Sequence, residues 1–201
     1  MSSSFITNKD KFLSDIINGI LPKTDAVDFL VGYFYYSGYV QLSENLKSKH
    51  IRILVGLDIE IQISKHVCEV ENFRQKLLSR GVLKEQYYSE FVKAFNDTDF
   101  LDTAEKIEQF KMFYAKILDG TLEIRKTLDP CHSKMYLFVY NESMNEGGEL
   151  PGVMITGSSN LSYQGMQGRL ELNARFNDKA DYDEGHEIFE ELWRDAVVIA
   201  D

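Results

Sequence analysis

His132 and Lys134 stand two residues apart in CHSKMYLFVY (residues 131–140), a proton carrier and an ammonium inside an otherwise apolar run. Burying such charges is costly unless something specific compensates them. At i and i+2 of a strand, both side chains project to the same face. Downstream, VMITGSSNLS (residues 153–162) ends an apolar strand in a polar turn. Gly157 permits a tight turn, and Ser158, Ser159 and Asn160 offer backbone N–H, hydroxyl and amide groups to an anion. A lysine to neutralise oxygens, a turn to orient them and a histidine as nucleophile or proton carrier make a phosphate cradle. Spacing alone favours a plainer arrangement, a strand edge carrying exposed polar residues.

Other residues offer less. His186 in the last helix reads as solvent-facing, and Trp193 as a packing anchor. His66 and Cys68 make no metal pair without further ligands, and the two cysteines, Cys68 and Cys131, show no metal-binding spacing. Asp58, after a strand, is a weaker candidate to line a site. The run YFYYSGY (residues 33–39) offers rings that could stack on bases, although buried aromatics in a strand are the commoner arrangement.

The elements that must position these residues follow from the pattern. NKDKFLSDIINGIL reads as a helix capped by Asn8 and ended at Pro22, and AVDFLVGYFYYSG as a central strand. YVQLSENLKSK is helix-like and HIRILVGLD a strand, so this part forms a strand–helix–strand unit with a parallel pair. Residues 60–119 are mostly helical. Four short strands follow, TLEIRKTL, SKMYLFVY, GVMITGS and RLELNARF, and the chain closes on an acidic amphipathic helix. The expected fold is α/β, a mixed and largely parallel central sheet flanked by helices, with a helical insertion around residues 60–119. All 201 residues fit one domain.

Composition sets bounds. No run of about 18 apolar residues or signal-like start is present, so a cytoplasmic protein without membrane partners is expected. The net charge of −10 argues against a protein that coats nucleic acid electrostatically. From Asn141 onward, however, thirteen acidic residues face four basic ones, which leaves the first 140 residues nearly neutral.

HSK followed by GSSN resembles the HxK…GSxN signature of the phospholipase D superfamily of phosphodiesterases. Glu171, eleven residues after Asn160, fits the family's acidic position. The opening DFLVGYFYYSGYVQLSENL…IRILVGLD is similar to phospholipase D-like domains of metal-independent restriction endonucleases and of bacterial SNF2-type helicases. The resemblance implies a nucleophilic His132, Lys134 and Asn160 on the non-bridging oxygens, and Ser158 or Ser159 assisting. It implies Glu171 on the far nitrogen of His132, and no metal or other cofactor. Val139 stands where the family has an aspartate. Only one HxK motif is present, since His50, His66 and His186 lack a lysine two residues on. The mechanism needs a second histidine, so a homodimer is expected. The expected partner is DNA or another nucleic acid, with a helicase or restriction module downstream of this N-terminal part. The alternative is a catalytically silent module for dimerisation or nucleic-acid positioning; a phospholipid-cleaving enzyme is less favoured.

Overall fold

The computed structural model describes residues 4–59 and 104–200. Alternating apolar residues build a single sheet with a core on each face. Its strands are β1 (Phe5–Ile6), β2 (Thr24–Phe34), β3 (His50–Ile59), β4 (Leu122–Lys126), β5 (Met135–Tyr140), β6 (Gly152–Gly157), β7 (Asn173–Phe176) and β8 (Val197–Ala200), in the order β1-β7-β6-β5-β2-β3-β4-β8. The helices are α1 (Leu13–Ile20), α2 (Tyr36–Val40), α3 (Ser43–Leu46), α4 (Ala104–Leu118) and α5 (Lys179–Asp195).

The sheet is mixed, as the sequence implied, but less parallel than expected. Among the described strands, parallel ladders join β2 with β3 and β3 with β4, and an isolated parallel bridge links Phe34 to Leu161. The pairings on β5, β6 and β7, and that of β8, are antiparallel. Parallel neighbours need a crossover, which α2 and α3 supply between β2 and β3, whereas short loops return antiparallel strands. Of the helical stretch read for residues 60–119, the part before Ala104 lies outside the described residues, and the remainder includes α4.

Side chains of β2, β3 and β5 divide by parity. Phe29, Val31, Ile53, Tyr136 and Phe138 face the larger core, with Ile17, Tyr39 and Phe113 from α1, α2 and α4. Leu30, Leu54 and Leu137 face the smaller one, beneath Tyr182, Phe189 and Trp193 of α5. Asp178 caps α5 by accepting from the Ala180 N–H at 2.8 Å. The last helix ends sooner than its pattern suggested, because VVIA turns back as β8 beside β4. The first helix starts later than expected, at Leu13, with Phe12 rather than Asn8 at its N-cap; Asn8 Oδ1 accepts from the Leu13 N–H at 2.8 Å. No helix of the described residues is long and apolar enough to cross a membrane.

One charged cluster sits under α5. Arg52 donates to both oxygens of Asp28, at 2.6 and 2.7 Å, and to Glu190 at 2.6 Å. The guanidinium also covers the Phe189 ring at 4.9 Å and the Trp193 ring at 5.3 Å. Asp28 is only 2% exposed, so its carboxylate depends on this partner. The hydrogen bond from Arg52 holds the Glu190 carboxyl below its ordinary range. A depressed carboxyl contributes stability above its unfolded value and loses that contribution as pH falls through the folded one. Arg52→Ala is expected to destabilise the fold by about 3–5 kcal/mol in urea denaturation, through the unpaired charge on Asp28. Asp28→Asn in the Arg52→Ala background should recover part of the loss.

Candidate active site

The ends of five strands meet at one edge of the sheet. β2 and β3 end there, β5 begins there antiparallel to β2, β6 ends there and β7 begins there. His132 and Lys134 lie in the extended segment immediately before β5, not inside the strand as expected. That places His132 in the open while Lys134, beside Met135, is only 4% exposed.

The segment is tied down from both sides. The Cys131 N–H donates to the Gly56 carbonyl of β3 at 3.0 Å. A Cβ on Gly56 would stand 1.8 Å from the Cys131 carbonyl oxygen, so only glycine lets the segment lie this close. On the other side, the Lys134 carbonyl accepts from Thr156 Oγ1 at 2.7 Å and from the Gly157 N–H at 3.3 Å.

The Lys134 ammonium turns back onto its neighbour. Nζ lies 2.6 Å from His132 Nδ1 and donates to the His132 carbonyl at 2.5 Å. With the amine protonated, Nδ1 is the acceptor of that contact, and His132 Nε2 has no hydrogen-bond partner among the described residues. Tyr33 presents its ring edge-on to the imidazole, centroids 6.3 Å apart. Burial lowers the affinity of Lys134 for its proton, opposed by the negative charge of Glu171 and then by Cys131.

Asn160 reaches the same point from the turn after β6. The register of β2 against β3 shifts between Val31 and Tyr33, and the Tyr33 N–H donates to Asn160 Oδ1 at 2.9 Å. Anchoring the oxygen leaves the Asn160 NH2 to donate elsewhere, and it has no partner among the described residues. Beneath lies Gly32. A Cβ there would stand 3.3 Å from Asn160 Oδ1, 3.5 Å from Lys134 Nζ and 3.7 Å from His132 Cα. The three candidate residues converge over a residue with no side chain, and Gly32 had no separate signal in the sequence.

The GSSN turn is held differently from the sequence-based picture. Gly157 is needed for close approach: its Cβ would stand 2.3 Å from the Leu172 carbonyl oxygen. The N–H groups of Gly157, Ser158 and Ser159 are engaged internally, with the Lys134 carbonyl, the Leu172 carbonyl and Asn173 Oδ1. They are therefore not free to line an anion site, and the Asn160 amide is the donor the turn presents. Ser159 is fully buried, and its hydroxyl accepts from Asn173 Nδ2 at 2.9 Å. The buried Tyr136 hydroxyl donates to the Ser159 carbonyl at 2.9 Å. Asn173 and Tyr136 are supports that the motif did not reveal. Ser158 Oγ donates to Glu171, and accepts from the Leu172 N–H at 3.0 Å. Glu171 is thus fixed by Ser158, and no hydrogen bond joins it to His132 among the described residues. The side chain of Asp58 and all of His66 and Cys68 lie outside the described residues. His186 is half-exposed on α5, stacked on Tyr182 and 3.5 Å from Glu190.

A cleft of about 430 Å³ opens beside this point, and Asn160 and Glu171 form part of its lining.

A mixed sheet whose strand ends gather a histidine, a lysine and an asparagine defines a class of domain, and the comparisons agree with it. The chain belongs to the phospholipase D-like domain family: the family model described as "Cardiolipin synthase, PLD-like domain" matches residues 49–193. No curated protein matches it in sequence. Among solved structures it is similar to Nuc, a phospholipase D family member from Salmonella typhimurium (TM-score 0.51, 9% identity, 98% of this chain and 97% of that one). It is also similar to NucT from Helicobacter pylori (TM-score 0.50, 10% identity, 98% of each chain). Polyphosphate kinase from Porphyromonas gingivalis shares the fold over 96% of this chain but only 23% of its own (TM-score 0.51, 12% identity). At such identities the likeness is one of fold.

The burial of Lys134 has a measurable consequence. In ¹³C-lysine NMR, Lys134 is expected to titrate below the ordinary lysine value of 10.5. Between its folded value and 10.5 the unfolded chain binds more protons, so in that window this group makes stability rise with pH. Glu171→Gln removes the charge that opposes burial and should move the titration to lower pH.

Proposed function

We propose that the chain is a metal-independent phosphodiesterase acting on nucleic acid, with a site shared between two copies. One observation carries this reading: the Lys134 ammonium, the Asn160 amide and the His132 backbone all lie within 4 Å of the point above Gly32. A phosphate seated over these groups would meet the Lys134 ammonium and the Asn160 NH2, whose oxygen is held by the Tyr33 N–H, as donors to its non-bridging oxygens, with an imidazole beside them.

When the phosphate takes up the ammonium, Nδ1 of His132 is released to hold the ring proton, and Nε2 carries the lone pair. Nε2 attacks phosphorus, and the bond to the leaving oxygen breaks as the N–P bond forms. The leaving oxygen takes a proton from His132 of a second copy, which this single-motif chain needs as its general acid. That same imidazole then accepts a proton from water as the water oxygen attacks phosphorus and the N–P bond breaks. Both histidines return to their starting protonation. Glu171, placed by Ser158 near the ammonium, favours the positive charges that accumulate in the first step. Of the serines, Ser158 is the exposed one able to turn toward substrate; Ser159 shapes the turn from below. Attachment to a helicase or restriction module belongs to the same proposal and rests on the resemblance of the opening segment.

Incubation with plasmid and single-stranded DNA in EDTA tests this. Cleavage is expected for the unaltered protein and lost in His132→Ala. Asn160→Ala should slow it about 10²–10³-fold, as for removal of one charge-stabilising donor. Gly32→Ala should fold normally yet cleave more slowly, because the new methyl group, 3.3 Å from Asn160 Oδ1, presses the amide out of place while Lys134 stays in ordinary contact. A dimer that cleaves no phosphodiester would favour a silent positioning module, and an active protein that sediments as a monomer would exclude the shared site.

A further inference from the structure

The aromatic run at residues 33–39 divides in the fold. Phe34, Tyr36 and Tyr39 are buried in the larger core. Tyr35 is instead 42% exposed, and Tyr33 is half-buried with its ring 6.5 Å from that of Tyr35 and tilted by 32°. Both line the cleft of about 430 Å³, together with Tyr163, itself 46% exposed. Exposed Arg169 stands at the same cleft and makes no ion pair among the described residues. Asn160 belongs both to this cleft and to the site above Gly32, and Glu171, which acts on Lys134 by its charge, also lines the cleft. Three tyrosine rings without aromatic core partners are therefore gathered within one nucleotide's reach of the catalytic groups.

We propose that this cleft is a base-binding subsite, and that the substrate is single-stranded nucleic acid with the base next to the reacting phosphate seated among Tyr33, Tyr35 and Tyr163. The volume lies within the range of about 300–1,000 Å³ usual for ligand pockets. Tyrosine faces stack on any base, while hydroxyl and guanidinium groups suit a base's polar edge and a flanking phosphate. An acyl chain would gain little from so polar a lining. In a duplex the bases are paired and stacked inside the helix and enter a concave site only by being flipped out; in a single strand they are already free. Stacking also supplies affinity that does not depend on charge, which suits a chain of net charge −10.

This inference rests on the phosphodiesterase reading for the position of the reacting phosphate, but binding tests it separately. Fluorescence anisotropy would compare a labelled single-stranded 12-mer, its duplex and the same backbone with abasic residues, using the full chain in EDTA. The single strand is expected to bind about tenfold or more tightly than the abasic backbone and the duplex. Tyr35→Ala and Tyr163→Ala should each weaken the single strand about tenfold and leave the abasic backbone unchanged. Equal binding of single strand and abasic backbone, or variants that alter only dimerisation in sedimentation, would overturn the subsite. Tighter binding of an abasic glycerophosphodiester than of the single strand would overturn it in favour of a lipid headgroup. If the single strand binds in a base-dependent way but is never cut, the subsite stands and the catalytic reading falls. If it is cut at rates indifferent to both tyrosine substitutions, the reverse holds.

Discussion

A lysine that is 4% exposed needs partners for its ammonium, and the edge of this sheet is organised around that need. Lys134 cannot extend into water, so its Nζ rests on the imidazole and carbonyl of His132, under the influence of Glu171. Gly32 lies against it, and the β2 register shift turns the Tyr33 N–H to Asn160 beside it. Hydrogen bonds from Thr156 and Gly157 hold the lysine backbone, and Tyr136 and Asn173 hold the turn that carries Asn160. Polar groups buried in this way rigidify a site only when they are satisfied together.

The candidate site residues and the groups that hold them in place were legible to different degrees. His132, Lys134 and the GSSN turn announce themselves by charge and polarity beside apolar runs, and the apolar run of β2 read as a central strand of a sheet flanked by helices. The supports could not be read because each depends on contacts far apart in the chain. Tyr33 meets Asn160 across 127 positions, and Gly32 is an ordinary strand glycine until the turn folds over it. Tyr136 and Asn173 read as strand residues, and only the pairing of β5, β6 and β7 shows that they lie under the turn.

The sequence overestimated parallel pairing for a related reason. Apolar runs such as those of β2 and β3 are buried on both faces whichever way their neighbours point, so composition does not report direction. Direction follows from the connections, and β5, β6 and β7 follow one another as antiparallel neighbours. This reversal brings the start of β5, the end of β6 and the start of β7 to the C-terminal ends of β2 and β3. The mixed sheet is thus the condition for gathering His132, Lys134, Asn160 and Glu171 at one edge.

Tyr136 ties the site to the core in a further way. Its phenol is fully buried, and burial, with the charge of Glu171 adding to it, raises its ionisation well above the ordinary value of 10.0. In the unfolded chain it ionises near 10.0, so the stability it lends is complete below that value and lost as pH rises toward its folded one. The hydroxyl proton it keeps is the one donated to Ser159. Ionisation of this buried phenol and loosening of the turn that carries Asn160 are therefore linked, since the proton lost is the one that holds the Ser159 carbonyl.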